Sequence, residues 1–311
     1  RNLTIEAVRV TEAAAIAAAE TMGRGDEKIA DQAAVDAMRT ALNRLQMAGT
    51  VVIGEGERDE APMLFIGEEV GTGNGPKIDI ALDPLEGTTI TAKGMPNGLA
   101  VLALSEHGGL LNAPDVYMDK IAAGPLVPPG AIDLDNTAGE NVANVAKALG
   151  KDTKDVVACI LDRPRHGELI AAVREAGARI VLIGDGDVAG VMATAMPETG
   201  IDLYMGTGGA PEGVLAAAAL RCIGGNIQGR LLFRNDDERG RAAKVGVEDL
   251  NRKYEITDLA SGDVIFAATG VTDGNMLQGV RRTAKYLSTE SVAMRARTGT
   301  VRWIRMQHPI K

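Results

Sequence analysis

The sequence is poor in cysteine, histidine and aromatic residues, and it lacks long apolar runs. Only 2 of 311 residues are cysteine and 3 are histidine, so neither a disulfide framework nor a multi-histidine metal site is expected. No apolar run approaches the ~18–20 residues that cross a bilayer, so no membrane association is predicted. The first residues, RNLTIEAVRVTEAAA, do not resemble a secretory signal. Cys159 and Cys222 lie in apolar runs and indicate buried thiols, which predicts a cytoplasmic protein.

Basic residues are also in the minority. The chain has 33 Lys and Arg against 42 Asp and Glu, a formal net charge of −9 at pH 7. Nucleic-acid binding needs a basic face, so no nucleic-acid partner is expected. The acid excess fits carboxylates that hold cations, although a solvated acidic surface explains most individual acids equally well. With so few histidines and cysteines, we expect any bound metal to be a hard cation held by oxygen.

Glycine, by contrast, is abundant, with 38 residues placed in short motifs between apolar runs. In the front half, helical spacing predicts helices over about 3–22 and 30–47. Apolar or alternating runs predict strands at TVVIG, at KIDIALDP (77–84) and at LAVLALSE (99–106). The second of these strands is expected to end at its Asp-Pro, because proline cannot donate to a strand ladder.

The back half shows a different rhythm, in which apolar strands alternate with helical runs. VVACILD, ARIVLIG and IDLYMG are the strands, and this order is typical of parallel strands with crossover helices. SVAMRAR and TVRWIRMQ flank a Thr-Gly turn and predict a hairpin. Proline and glycine concentrate over 123–138. We therefore predict an α/β protein with halves at 1–138 and 139–311, packed as one unit.

The most informative motif is DPLEGT, directly at the end of the strand KIDIALDP. Asp83 and Glu86 lie three residues apart, and two such carboxylates can bridge divalent cations. Gly87 offers a backbone N–H and Thr88 a hydroxyl, which suit a phosphate oxygen or a metal-bound water. For an isolated Asp-Pro, a strand followed by a polar turn is the more common explanation.

A second acidic motif, GEGERDE, follows the strand TVVIG. Its clustered acids repel one another unless a cation or bases neutralise them. Glu55 is nearest the strand end and is the candidate metal ligand, whereas Glu57 and Asp59 are placed to hold or polarise a water. A solvated acidic loop remains the alternative, and it explains Glu60 fully.

Two glycine-containing motifs precede helices. GRGD is followed by Asp31, which by itself is explained as an acid near a helix N-terminus. GTGGAPEG precedes a long helix and exposes amides to an anion, but Glu212 would repel phosphate and makes more sense facing a metal. No Gly-Lys-Ser/Thr follows, so an ATP-binding P-loop is excluded.

Two further turns follow presumed parallel strands, where open α/β sheets bind ligands. Arg163 and Arg165 in DRPRH can each donate bidentate hydrogen bonds to a phosphate. Asp185 and Asp187 in DGD suit sugar hydroxyls. A surface turn with a helix cap explains each stretch about equally well.

Taken together, the motifs resemble a known family. GRGD, ADQAAVDAMR, VVIGEGERDEAPMLFIGEEVG, DPLEGT, APDVYMDKIAAGP, DRPRH, DGDVAG, GGAPEG and FAATGVTDG occur in this order. They closely resemble class II fructose-1,6-bisphosphatases, including the bifunctional fructose-1,6-/sedoheptulose-1,7-bisphosphatases. The resemblance runs from about Leu3 to the C-terminal hairpin. The DPLEGT-type string is shared more widely, with lithium-sensitive phosphatases such as inositol monophosphatases.

The resemblance implies a layered α/β/α/β/α sandwich with mixed sheets and dependence on Mg²⁺ or Mn²⁺. It implies hydrolysis of fructose 1,6-bisphosphate to fructose 6-phosphate and phosphate in gluconeogenesis. Sedoheptulose 1,7-bisphosphate, a Calvin-cycle metabolite, would be a second substrate. We also expect a homo-oligomer, a dimer or tetramer, although the helices rich in small residues suit an internal core equally well.

The resemblance also implies individual roles. The implied metal ligands are Asp31, Glu55, Asp83, Glu86 and Glu212. The implied catalytic residues are Thr88, Asp59 and Glu57. The implied substrate-binding residues are Glu86, Gly87, Thr88, Tyr117, Arg163, Pro164, Arg165, Asp185, Gly186, Asp187 and Gly209.

One position departs from the family pattern. Many members have lysine directly after the GRGD-type string, where this chain has Glu27 and then Lys28.

Three other functions are open to comparison. VLIGDGDVAG is superficially similar to haloacid-dehalogenase-type phosphatases, but that function leaves the other motifs unexplained. An inositol-monophosphatase-like phosphatase shares only the Asp-Pro motif. A non-catalytic sugar-phosphate-binding protein would bind without turnover, and the intact carboxylate set argues against it.

Overall fold

The computed structural model describes residues 3–56 and 63–310, which form two compact units. The first unit comprises Arg1–Leu110 and Ser261–Lys311, and the second comprises Leu111–Ala260. The chain therefore leaves the first unit once and returns to it near the C-terminus.

Helices and strands alternate along the described residues. The helices are α1 (Leu3–Ala19), α2 (Glu27–Leu42), α3 (Thr88–Ala92), α4 (Ala138–Leu149), α5 (Gly167–Glu175), α6 (Asp187–Ala193), α7 (Ala210–Ile223), α8 (Asp236–Lys244) and α9 (Ile256–Leu259). The strands are β1 (Ala48–Ile53), β2 (Glu69–Val70), β3 (Lys77–Glu86), β4 (Leu99–Glu106), β5 (Tyr117–Ala123), β6 (Val157–Leu161), β7 (Arg179–Ile183), β8 (Leu203–Gly209), β9 (Asn226–Leu232), β10 (Lys253–Glu255), β11 (Ile265–Gly270), β12 (Arg281–Arg282), β13 (Tyr286–Arg295) and β14 (Thr300–Pro309).

The sheet of the first unit has the order β12-β13-β11-β4-β3-β1-β2, and β14 pairs with β13. Strands β1 and β3 are parallel, whereas β4, β11 and β13 follow in antiparallel pairs. Helix α1 packs on β11 and β13 and buries small side chains such as Ala7, Ala14 and Ala15. Because these side chains are short, the helix backbone approaches the sheet closely.

The sheet of the second unit has the order β10-β9-β5-β8-β6-β7. Strand β6 is parallel to both β7 and β8, as the alternating strand and helix pattern predicted. Strand β5 lies between β8 and β9 and is antiparallel to both. An α/β fold with mixed sheets, as expected from the sequence, is confirmed.

The two units differ from the predicted halves 1–138 and 139–311. The reason is the pairing of β11 with β4, which places the C-terminal strands in the sheet of the front segment. The C-terminal hairpin itself, β13 with β14, forms as predicted. Among the described ranges, no helix is both long and apolar enough to cross a membrane.

The prediction that the strand at 77–84 ends at its Asp-Pro is wrong. Strand β3 continues through Pro84 to Glu86, and its pairing with β4 shifts register between Asp83 and Glu86. A bulge of this kind accommodates a residue without a backbone N–H inside a sheet. The two carboxylates of the motif therefore flank a bulge in a central strand.

Helix α2 also differs from its predicted span of 30–47. It begins earlier because the Asp26 side chain caps it by accepting a hydrogen bond from the Ile29 N–H at 3.0 Å. It ends at Leu42, and Asn43 is the C-cap.

Candidate functional site

One edge of the second sheet gathers most of the residues to which the resemblance assigned substrate binding. Strands β6, β7 and β8 are parallel, so the turns that follow them lie at the same edge. Strand β5 runs in the opposite direction, and its first residue, Tyr117, pairs with Gly209 at the end of β8. This is the position at which open α/β sheets bind ligands. We call it the ligand edge.

The two arginines of the DRPRH turn are held by backbone oxygens at the ligand edge. Arg163 Nη1 donates to the Gly184 carbonyl at 2.5 Å. Arg165 donates from Nε and Nη2 to the Thr207 carbonyl, at 3.1 and 2.7 Å, and its guanidinium carbon lies 4.9 Å from the centre of the Tyr117 ring. Both guanidiniums retain further N–H groups that can bind a phosphate.

A buried histidine ties this turn to strand β8. His166 Nδ1 contacts the Leu161 carbonyl at 2.7 Å, and its Nε2 accepts a hydrogen bond from the Thr207 N–H at 2.8 Å. These partners assign a neutral imidazole with the proton on Nδ1. His166 therefore acts as a structural link that holds Arg165 near Tyr117.

Lys120 was missed by sequence analysis and lies at the centre of the ligand edge. Its side chain is 1% exposed, forms an ion pair with Asp187 and donates to the Gly209 carbonyl at 2.8 Å. Asp187 is itself buried at the start of α6, directly after Gly186, whose φ of 80° suits glycine. The only signal in the sequence is a lysine in the segment MDKIAA, whose other residues are apolar apart from Asp119.

Glycine is required at position 208 by the space that this ion pair takes. A Cβ atom there would overlap Asp187 Oδ2 and lie 2.9 Å from Lys120 Nζ. At Gly209 a Cβ would overlap the Glu212 carboxylate, which folds back over the first turn of α7. The GTGGAPEG motif thus lets two acidic side chains approach the backbone closely.

The resemblance implies that the ligand edge binds a sugar phosphate, and we expect Gly208→Ala to weaken that binding by displacing the Asp187–Lys120 ion pair. Overpacking of this kind costs about 1–3 kcal/mol of stability. Fructose 6-phosphate binding by calorimetry and urea unfolding would measure the two effects. Gly167→Ala is the matched control, because a Cβ at position 167 would have no described atom within 4 Å beyond its chain neighbours and its own helix backbone. Equal affinity in both variants would contradict the prediction.

Glu212 combines a buried carboxylate oxygen with a strongly shifted pKa. Its Oε2 is buried and has no hydrogen-bond partner among the described residues. Burial, followed by the negative charge of Asp187, raises the pKa of Glu212 to about 7, and the Lys120 charge opposes this shift. A cation at this oxygen would supply the missing partner.

The first unit carries the DPLEGT residues at the end of β3. Glu86 is 3% exposed, and the Asp83 Oδ1 accepts the Leu85 N–H at 3.0 Å. Gly87 has φ 91°, a conformation that favours glycine, and it precedes the short helix α3 that begins at Thr88.

The acidic loop after β1 is described only in part. Glu55 is half-buried and its N–H donates to the Leu64 carbonyl at 3.0 Å. The catalytic candidates Glu57 and Asp59 lie outside the described residues. The far end of the loop is held by Glu68, which accepts hydrogen bonds from Arg39 Nε at 2.6 Å and from the Leu64 N–H.

Asp31 lies in the second turn of α2 and not at its N-cap, which is Asp26. Burial raises the pKa of the Asp31 carboxyl, which is what a carboxylate without a solvent shell experiences. Glu27 and Lys28, where the chain departs from the family pattern, are exposed residues in the first turn of the same helix.

The proposed metal ligands fit a hard divalent cation by their chemistry. All five are carboxylates, and the buried Glu212 Oε2 awaits a partner. Within residues 3–56 and 63–310, no three acidic, histidine or cysteine side chains are grouped closely enough to hold an ion together.

Comparison with known proteins agrees with the resemblance seen in the motifs. The family model for bacterial fructose-1,6-bisphosphatase, glpX-encoded, matches residues 1–308. Fructose-1,6-bisphosphatase 1 class 2 of Escherichia coli K12 is 46% identical over 322 residues, covering 99% of this chain and 95% of that protein. The class 2 fructose-1,6-bisphosphatases of Escherichia coli O6:H1 and Shigella flexneri match with the same identity and coverage. Because the match spans nearly the whole chain, this protein belongs to the bacterial class 2 fructose-1,6-bisphosphatase family.

Proposed function

We propose that the chain is a metal-dependent phosphatase that hydrolyses fructose 1,6-bisphosphate to fructose 6-phosphate and phosphate in gluconeogenesis. The single observation that carries this proposal is the family match over residues 1–308, together with 46% identity to class 2 enzymes. The ligand edge supports it independently, because arginines for a phosphate and carboxylates for sugar hydroxyls lie along one side of a sheet.

The chemistry asked of the protein is the attack of water on the 1-phosphate. A bound Mg²⁺ or Mn²⁺ would neutralise phosphate oxygens and would lower the pKa of water. In our proposal Asp31, Glu55, Asp83, Glu86 and Glu212 hold the metal. Their carboxylates offer only oxygen atoms, which these cations prefer.

Thr88 is the residue that we propose to orient the attacking water. Its hydroxyl stands at the start of α3, directly after the left-handed Gly87. Glu57 or Asp59 would accept a hydrogen bond from Thr88 and handle the proton of the water. The water oxygen would form a bond to phosphorus as the bond to the sugar O1 breaks, and the proton released by the water would restore the hydroxyl group at O1. No covalent enzyme intermediate is required.

The remaining residues would bind the sugar and its distal phosphate. Arg163 and Arg165 would bind an anion, and in support of this both donate to backbone carbonyls at the ligand edge, with the Tyr117 ring beside Arg165. Asp185 and Asp187 would accept hydrogen bonds from sugar hydroxyls. Backbone groups of Glu86, Gly87, Pro164, Gly186 and Gly209 complete the proposed contacts.

Three finer features also belong to this proposal. Sedoheptulose 1,7-bisphosphate would be a second substrate. The protein would be a homo-oligomer, a dimer or tetramer. It would act in the cytoplasm, a reducing compartment in which the buried thiols of Cys159 and Cys222 stay reduced. Burial raises the pKa of Cys159 to about 12, so this thiol is a poor nucleophile.

The test is phosphate release from fructose 1,6-bisphosphate with Mg²⁺, with Mn²⁺ and with a chelator. We expect release that requires metal and stops on chelation, because the dianionic ester resists water unless its charge is neutralised. Sedoheptulose 1,7-bisphosphate and inositol 1-phosphate run in parallel would identify the range of substrates.

Each alternative predicts a different pattern in this assay. Faster release from inositol 1-phosphate than from either bisphosphate would favour an inositol-monophosphatase-like enzyme. Binding of the bisphosphates without release under any metal would favour a non-catalytic sugar-phosphate-binding protein. Either result would overturn the proposed function.

A further inference from the structure

A third arginine, Arg234, lies at the ligand edge. It follows β9 by two residues, and β9 is antiparallel to β5, so the end of β9 lies beside the start of β5. Leu232, the last residue of β9, pairs with Tyr117. The sheet topology alone therefore brings Arg234 to the edge that carries Arg165 and Gly209.

The Arg234 guanidinium contacts the same aromatic ring as Arg165. Its guanidinium carbon lies 4.7 Å from the centre of the Tyr117 ring, against 4.9 Å for Arg165. Two cations around one ring repel each other, and an anion bound beside the ring relieves that repulsion. The arrangement thus favours a doubly charged ligand at Tyr117.

A buried carboxylate fixes the position of Arg234. Arg234 Nε donates to Glu238 Oε1 at 2.6 Å, and its backbone N–H donates to Glu238 Oε2 at 2.7 Å. The Glu238 side chain is 1% exposed, whereas that of Arg234 is 61% exposed. The guanidinium is therefore anchored on one side and open to solvent on the other, and some of its five N–H donors remain available.

We propose that Arg234 binds the distal phosphate of the substrate, together with Arg165, on the two guanidiniums that contact Tyr117. This inference rests on the proposed function, which supplies a substrate with a phosphate at each end. It adds a binding residue that lies outside the motifs of the family resemblance. Glu238 acts as the positioning residue that holds Arg234 over the ring.

The test compares substrates with and without the distal phosphate. For Arg234→Ala we expect kcat/KM for fructose 1,6-bisphosphate to fall about 10- to 100-fold, mainly through KM, as for a lost hydrogen bond to a charged group. The fall for fructose 1-phosphate, which lacks the distal phosphate, should be much smaller. Arg239→Ala is the matched control, because Arg239 lies on α8 and pairs with the exposed Asp236.

A second variant separates the loss of the phosphate contact from a loss of folding. Arg234→Ala removes the guanidinium that neutralises the buried Glu238 and leaves it a more distant cationic partner, Arg241 at 3.9 Å. The double variant Arg234→Met with Glu238→Gln removes the cation without leaving a buried carboxylate. It should show the same loss for the bisphosphate. An unchanged KM for fructose 1,6-bisphosphate in this folded double variant would overturn the inference.

Binding of fructose 6-phosphate by calorimetry separates this inference from the proposed function. If the wild-type protein binds fructose 6-phosphate and Arg234→Ala weakens that binding at least 10-fold, Arg234 is a phosphate ligand even without turnover. If the wild-type protein turns over the bisphosphate and Arg234→Ala binds fructose 6-phosphate normally, only the inference fails. If the wild-type protein neither binds fructose 6-phosphate nor hydrolyses the bisphosphate, both fail.

Discussion

Lys120→Met should destabilise the protein by about 3–5 kcal/mol, the usual cost of removing one partner from a buried ion pair. The lysine is 1% exposed and its charge faces Asp187, with the carboxylate of Glu212 close enough to influence both. Methionine has a similar length and fills the space. The loss would therefore report the two carboxylates left without their cation and not a cavity.

Urea unfolding at pH 8 in the presence of a chelator would measure this loss. Lys151→Met is the matched control, because Lys151 also pairs with an aspartate, Asp202, but is 39% exposed. A pair in that setting contributes about 0–1 kcal/mol. If Lys120→Met cost no more than Lys151→Met, the buried cation would not be what holds Asp187 in place. The double variant Lys120→Met with Asp187→Asn should recover part of the loss.

The motifs after β6 and β7 are visible in the sequence because each follows an apolar strand that a simple pattern predicts. The strand 99–106 was predicted with its observed bounds, and β6, β7 and β8 were predicted together with their parallel arrangement. Turns that follow parallel strands lie at one edge of the sheet. For this reason the sequence alone predicts that Arg165, Asp185 and Asp187 lie at one edge of the sheet.

Lys120 and Arg234 were missed for physical reasons. Lys120 lies in β5, where the charged pair in MDKIAA weakens the apolar pattern of a buried strand. Its burial depends on the ion pair with Asp187 and the hydrogen bond to the Gly209 carbonyl. Arg234 precedes the acidic stretch NDDER, which has the composition of a solvated turn. Its contact with Tyr117 depends on the antiparallel pairing of β9 with β5, and no local pattern encodes that pairing.

Local sequence patterns also could not predict how the chain divides into compact units. Proline and glycine over 123–138 mark a loop between β5 and α4, not the limit of a unit. The first unit includes the C-terminal strands because β11 pairs with β4, more than 150 residues away in the chain, with Ile265 opposite Leu104. Long-range strand pairing leaves little trace in composition, so a boundary drawn from loop residues does not coincide with the compact units.

Glu212→Gln should abolish most activity while making the metal-free protein more stable at neutral and alkaline pH. If Glu212 holds the metal, its replacement by a neutral amide removes several kcal/mol of charge stabilisation in the transition state, about a 10³-fold loss in kcat. The same change removes a carboxylate whose burial raises its pKa to about 7. Activity and stability should therefore move in opposite directions, which general damage to the fold would not produce.

The direction of the stability change follows from the pH dependence of Glu212 protonation. Because the pKa of Glu212 is about 7 in the folded protein and near 4.5 when unfolded, the folded state binds more protons between these values. The stability of the chelated wild-type protein should therefore fall by about 1–3 kcal/mol as the pH rises from 4.5 to 7, and Glu212→Gln should lack this fall. Urea unfolding at several pH values, with kcat measured at saturating Mg²⁺, would decide both parts. Equal pH profiles would show that Glu212 is not a buried charge, and near-normal kcat would show that it does not hold the metal.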